Sequence, residues 1–146
     1  MNQAGGTRAL GCASLRVPAQ PVYLALIGMT VRWFGVQAGL SDEKCRDLDV
    51  AVDEACSNVI RHGFAGRADG EMTVVCSPVE KGLQVTILDR GKPFDPDAGA
   101  RTAEQKRLRD PVSGGLGLML IRQLTDEVTF ERDDREGNRL ILVKHT

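Results

Sequence analysis

Apolar and polar positions follow two different periods along this chain. Over Asp47–Phe64 the period is helical. At about 100° per residue, Leu48, Val52, Ala55 and Val59 fall on one side, and Asp47, Glu54, Asn58 and Arg61 on the other. Ser41 stands as an N-cap with Lys44 in place of a reciprocal glutamate, and Gly63 follows as a C-cap, so the predicted helix spans Asp42 to His62. An earlier helix is predicted from Pro21 to Ala38, with Leu24, Ile27, Val31 and Phe34 at helical spacing and Gly39 closing it. Strands are predicted over Cys12–Val17, Glu71–Ser77, Leu83–Leu88, Glu127–Glu131 and Arg139–Val143, with the cleanest alternation at Leu83, Val85 and Ile87. A third helix is predicted over Leu118–Leu124.

The predicted order is strand, two helices, hairpin, a long break, helix, hairpin. The break, Lys92–Ser113, is punctuated by Pro93, Pro96, Gly99 and Pro111 and is rich in charge. Connections near 20 residues are uncommon inside a domain and are often functional lids. Hairpins with helices between them give an α+β class: a two-layer α/β sandwich with a mixed, mostly antiparallel sheet and helices on one face. Residues 1–12 are Gly-rich and aperiodic and read as a disordered tail, leaving 13–146 as one domain.

Composition narrows the function classes. Net charge is −1, which gives no electrostatic case for nucleic acid. The longest apolar stretch, Val22–Val31, is half of the ~20 residues a membrane span needs. The N-terminus lacks a charged segment followed by an apolar one, so the expected location is the cytoplasm. Cys12, Cys45, Cys56 and Cys76 are scattered without a CxxC pair and read as core residues or free thiols rather than metal ligands.

Three motifs carry candidate chemistry. Glu54 and Asn58 are four apart, so one helix face offers a carboxylate and an amide oxygen to a single ligand. Both are hard oxygen donors suited to Mg²⁺ or its water, and the carboxylate can act as a base. Asp89-x-Gly91 stands at a strand end, where a carboxylate can accept from an exocyclic amine and a glycine lets a flat ring approach. Gly114-Gly115-Leu116-Gly117 opens a helix whose first N–H groups can hold an anion. Each has an ordinary alternative: a solvated helix face, a turn, a hinge. Together they supply the metal, base, adenine and phosphate parts of one nucleotide site, with the lid between the second and third.

At this point the chain resembles a known family. Glu54-Ala-Cys-Ser-Asn58 is similar to the N box of the GHKL (histidine-kinase-like) ATPases. Asp89-Arg-Gly91-Lys-Pro-Phe-Asp-Pro resembles their G1 box, and Gly114-Gly-Leu-Gly117-Leu-Met-Leu-Ile their G2 box. The glutamate opening the first motif is similar to the small bacterial anti-sigma factors that are serine-protein kinases. The resemblance covers roughly residues 13–144.

It implies a Bergerat-type ATP-binding fold and an ATP- and Mg²⁺-dependent kinase. Such a kinase phosphorylates an anti-anti-sigma (STAS-domain) partner and sequesters a sigma factor. It further implies that Glu54 is the general base and Asn58 the Mg²⁺ ligand, that Asp89 binds adenine over Gly91, and that Gly114, Gly115, Leu116 and Gly117 meet the phosphates. Arg61 and His62 are further ATP-binding candidates, and Arg101, Lys106, Arg107 and Arg109 are lid candidates for the γ-phosphate. Relatives commonly carry a threonine near the last strand that helps hold adenine through water. Here the region reads Gly137-Asn138-Arg139, which puts that contact in doubt unless Asn138 replaces it. Relatives also commonly dimerise, and an exposed sheet edge would permit a homodimer. The competing expectation is a non-catalytic nucleotide-binding module that acts by stoichiometric capture of its partner.

Overall fold

Val85 and Ile87 lie on the buried face of a central strand, and everything else is arranged about that strand. The computed structural model describes residues 9–93 and 115–146. The strands are β1 (Ala13–Pro18), β2 (Glu71–Val79), β3 (Gly82–Asp89), β4 (Glu127–Asp133) and β5 (Gly137–His145). The helices are α1 (Leu24–Gln37), α2 (Asp42–Asn58) and α3 (Gly115–Leu124). The sheet order is β1-β2-β3-β5-β4. Every pairing among the described residues is antiparallel, so the sheet is not the mixed one expected. The reason lies in the last hairpin: β4 takes the outer edge, and β5 returns between it and β3 in the opposite sense.

Alternation fixes the two faces of the sheet. Met72, Val74 and Cys76 on β2 and Val85 and Ile87 on β3 are buried beneath the helices. The other face carries Arg16, Thr73, Leu88 and Arg139, aligned across four strands. Against the buried face pack Ile27, Val31 and Phe34 of α1, Leu48, Val52 and Ala55 of α2, and Ile121 of α3. Full burial of one such aliphatic side chain contributes about 1.5–3 kcal/mol.

Helix α1 and helix α2 come close because α1 offers glycine where they meet. A Cβ at Gly28 would lie 2.6 Å from Asp49 Oδ1, and one at Gly35 would lie 2.8 Å from Cys45 Sγ. Arg32 closes the same seam by an ion pair to Asp49 at 2.6 Å. The first turn of the predicted Pro21–Ala38 helix is a 3₁₀ turn, Pro21–Tyr23, and Gly39 ends the helix at a φ of 87°. Helix α2 starts as expected, with the Lys44 N–H donating to Ser41 Oγ at 3.3 Å.

The end of the central helix differs from its expected course to His62. It is α-helical only to Asn58, then widens into a π-type turn over Val59–Gly63, closed by Phe64 N–H to Val59 O at 3.0 Å. The wider turn rotates the apolar stripe, so Ile60 is buried where the 3.6-residue period points to Val59. Such turns cost hydrogen-bond quality and are frequent at functional sites.

Candidate nucleotide and phosphotransfer site

The π-type turn brings the end of α2 onto the strand end that carries Asp89. Lys92 N–H donates to Gly63 O at 2.8 Å. A Cβ at Gly91 would lie 2.6 Å from both the carbonyl carbon and oxygen of Gly63. Two backbones therefore touch where only glycine at 91 fits. In the sequence, Gly63 reads as a helix cap alone. No local pattern in the sequence reveals that it is also the seat of the second motif.

Asp89 is buried at the end of β3, directly opposite Asn138 in the β3–β5 register. Its Oδ1 accepts from Gly91 N–H at 2.9 Å and from Asn138 Nδ2 at 3.0 Å. Burial pushes the Asp89 carboxyl above its ordinary value, and the bonds from Asn138 and Gly91 partly offset that. Asn138 Nδ2 also donates to Gly91 O at 3.1 Å. These acceptors fix the orientation of the amide, because a flip would set two oxygens against its own. The other end of the amide, Asn138 Oδ1, is buried with no hydrogen-bond partner among the described residues. A buried acceptor without a partner costs roughly 1–3 kcal/mol, which makes it a ready acceptor for a water or a ligand N–H.

The first motif lies on the exposed side of α2. Arg61 Nη2 is 3.4 Å from Glu54 Oε1 and 3.4 Å from Asn58 Oδ1. Both contacts are long, but one cationic group lies within reach of both oxygens. The two donors therefore converge on a common point, as the i, i+4 spacing predicts. Arg61 is exposed and folds back over its own helix, also reaching Ser57 O at 3.4 Å. His62 is exposed on the π-type turn, and among the described residues it makes no hydrogen bond to the rest of the set.

The glycine-rich motif joins the first one directly. The helix expected from Leu118 begins at Gly115, so Gly115, Leu116 and Gly117 form its first turn. A Cβ at Gly117 would overlap Glu54 Oε1. The start of α3 thus sits against the candidate base. Gly114 and the lid residues Arg101, Lys106, Arg107 and Arg109 lie outside the described residues, as do residues 1–8 of the expected tail.

A cavity of about 530 Å³ abuts Asp89, but Arg16, Thr73, Leu88 and Arg139 line it. It opens on the far side of the sheet from Glu54 and Asn58 and is a separate feature.

Segments distant in sequence thus meet around the end of α2: Gly91 against Gly63, and Gly117 against Glu54. Residues 17–144 match the histidine kinase-like ATPase domain model. The chain belongs to the histidine kinase-like ATPase family. Among curated relatives, the serine-protein kinase RsbW of Listeria innocua serovar 6a is 36% identical over 141 residues, covering 90% of this chain and 85% of the relative. The serine-protein kinase RsbW of Bacillus subtilis (strain 168) is 35% identical over 123 residues, covering 80% and 76%. That of Bacillus pumilus is 34% identical over 128 residues, covering 80% and 76%.

The donor chemistry also fits the nucleotide this family handles. Glu54 and Asn58 offer oxygens to a hard cation, Asp89 and Asn138 offer two acceptors to an amine, and Gly91 leaves room for a ring.

Proposed function

We propose that this histidine kinase-like ATPase chain is an ATP-dependent serine-protein kinase of the anti-sigma type. It phosphorylates a STAS-domain anti-anti-sigma partner and sequesters a sigma factor in the cytoplasm, with residues 13–146 acting as one catalytic domain. The observation that carries this reading is the approach of Gly117 to Glu54, which joins an anion-binding helix start to a carboxylate base.

Bound Mg-ATP supplies the phosphoryl group and the cation that offsets its charge. Glu54 takes the proton of the incoming serine hydroxyl. Asn58 would hold the magnesium, which would supply charge neutralisation at the phosphates. Asp89 accepts from the adenine amine, held in place by Asn138, and Gly91 lets the ring lie close. The N–H groups of Gly115, Leu116 and Gly117 at the start of α3 would face the phosphates, with Gly114, outside the described residues, the remaining candidate of that motif. Arg61, which lies within reach of both Glu54 and Asn58, and His62 would flank the phosphates. Arg101, Lys106, Arg107 and Arg109, outside the described residues, are the candidate lid cations for the γ-phosphate.

The alternative, stoichiometric capture without turnover, would leave Glu54 without a task. The presence of Glu54 beside Asn58 favours the enzyme. Incubation with Mg-ATP and a cognate STAS-domain protein tests this: phosphoserine forms on the partner with the native chain and not with Glu54→Gln. Partner binding without phosphate transfer would leave the capture module as the reading.

A further inference from the structure

A cation is buried on β5 where the neighbouring inward positions are apolar. Leu140 and Leu142 pack on the core, and Lys144, next on the same face, is 8% exposed. Its Nζ donates to the carbonyl of Leu124, the last residue of α3, at 2.8 Å. The same Nζ lies 3.4 Å from Asp47 Oδ2 in the second turn of α2. One ammonium therefore ties the C-terminal end of α3 to both β5 and α2, and it meets the negative end of the helix dipole there. The next residues close the same end. Thr125 Oγ1 donates to Ile121 O at 2.7 Å, and the Asp126 N–H donates to Val143 O at 2.8 Å.

The start of α3 meets α2 at a second point. A Cβ at Gly117 would lie 3.0 Å from Glu54 Cδ. Asp47 and Glu54 are seven residues apart on α2, and Gly117 and Leu124 are seven apart on α3. Seven residues rise about 10.5 Å in either helix. The two helices thus run antiparallel and are joined at both ends of matching lengths, by Lys144 at one end and by Gly117 on Glu54 at the other. Gly117 has no side chain with which to hold its place. A slip of α3 by one residue would carry it ~1.5 Å along the axis and turn it by about 100°.

We propose that Lys144 is a positioning residue for phosphoryl transfer: it holds α3 in register along α2, so that Gly117 stays against Glu54. The inference rests on the role given to Glu54 above, whereas the clamp itself is independent of the chemistry. Stability alone is a poor account of Lys144, because well-packed apolar side chains in place of a buried ion pair are often neutral or stabilising. What an apolar side chain lacks is the directed bond to one carbonyl at the end of α3. Asp47 is the acceptor that keeps the charge paired on the α2 side.

Hydrogen exchange of the full chain without nucleotide reads the clamp, and steady-state transfer reads its consequence. Lys144→Met keeps the stem and removes the ammonium. Amides of Leu118–Leu124 should then exchange at least about tenfold faster, with those of β2 and β3 unchanged. Transfer from Mg-ATP to a cognate STAS-domain protein should lose roughly 10- to 100-fold in kcat. KM for ATP should move far less, since Asp89 and Asn138 hold the adenine from another part of the fold. Val31→Ala, a cavity under α1, is the control for lost stability: it should lower the melting temperature and leave kcat unchanged. Asp47→Ala, at a partly exposed position, should shift exchange and kcat in the same direction by a smaller factor, and it keeps the test open if Lys144→Met does not fold. Unchanged exchange in the folded variants would overturn the clamp. Faster exchange with native kcat, or an equal kcat loss in Val31→Ala, would overturn the positioning role. A native chain that transfers no phosphate would end the kinase reading and the positioning role together, while the exchange rates would still decide the clamp.

Discussion

Asp89 and Asn138 are 49 residues apart in sequence and face one another across β3 and β5, with Asn138 Nδ2 donating to Asp89 Oδ1 at 3.0 Å. The bond makes Asn138 a positioning residue. Asn138→Ala should leave the buried Asp89 carboxyl one donor short, lower stability by about 1–3 kcal/mol and raise the Asp89 pKa further. Urea melts and a pH titration of nucleotide affinity check both effects. An unchanged melt with unchanged affinity would assign Asn138 no part.

The raised carboxyl of Asp89 has a sign that can be measured. Between its unfolded pKa and its higher folded value, the folded chain binds more protons than the unfolded one, so stability falls as pH rises through that window. Asp53 is raised for a similar reason, burial with Asp49 nearby, so the comparison must be with a variant. Asp89→Asn should flatten its share of the slope and be at least as stable at neutral pH. It should nonetheless lose ATP, because its amide N–H₂ now meets the adenine amine. Thermal melts from pH 4 to 8 on both proteins read the first effect, and equilibrium binding the second.

Gly117 and Gly91 should respond differently to the same methyl group. At Gly91 a Cβ meets the backbone of Gly63, which cannot move cheaply, so Gly91→Ala should cost about 1–3 kcal/mol of stability. At Gly117 it meets the end of the Glu54 side chain, which can swing aside. Gly117→Ala should therefore melt near the native temperature while phosphate transfer falls sharply. Equal losses of stability at both positions would contradict this placement.

Removing the base should cost rate and spare binding. Glu54→Gln keeps the shape of the side chain and loses its basicity, with an expected loss of about 10²–10⁴ in transfer. Nucleotide affinity should change little. Full turnover in this variant would remove Glu54 from its proposed role.

Thiol chemistry should report the fold. Cys45, Cys56 and Cys76 are buried, and burial raises all three thiols, Cys76 to about 11 and Cys56 further still. Cys12 is exposed. Alkylation of the native protein at pH 8 should therefore label Cys12 alone, and all four after unfolding. Fast labelling of Cys56 would place the α2–sheet packing in error.

Much of this arrangement is legible in the sequence because local periods carry it. The alternation of Leu83, Val85 and Ile87 and the helical stripe of Leu48, Val52 and Ala55 name their elements and buried faces directly. The spacing of Glu54 and Asn58 likewise predicts that their oxygens converge. Contacts set by register or backbone approach leave no such trace. The Asp89–Asn138 pair follows from how β5 aligns with β3, and the Gly63–Gly91 contact from a π-type turn that a 3.6-residue period does not encode. Helix α1 shows a different limit: it is apolar on two sides, and periodicity alone does not say which side meets the sheet.

Under the proposed function, three separated segments form one magnesium-nucleotide pocket. Calorimetric titration with ATP in the presence of magnesium tests it most directly. The native chain should release heat with one nucleotide per chain, and Asp89→Asn, still folded, should release none. No heat and no thermal upshift from well-folded native protein would contradict the account.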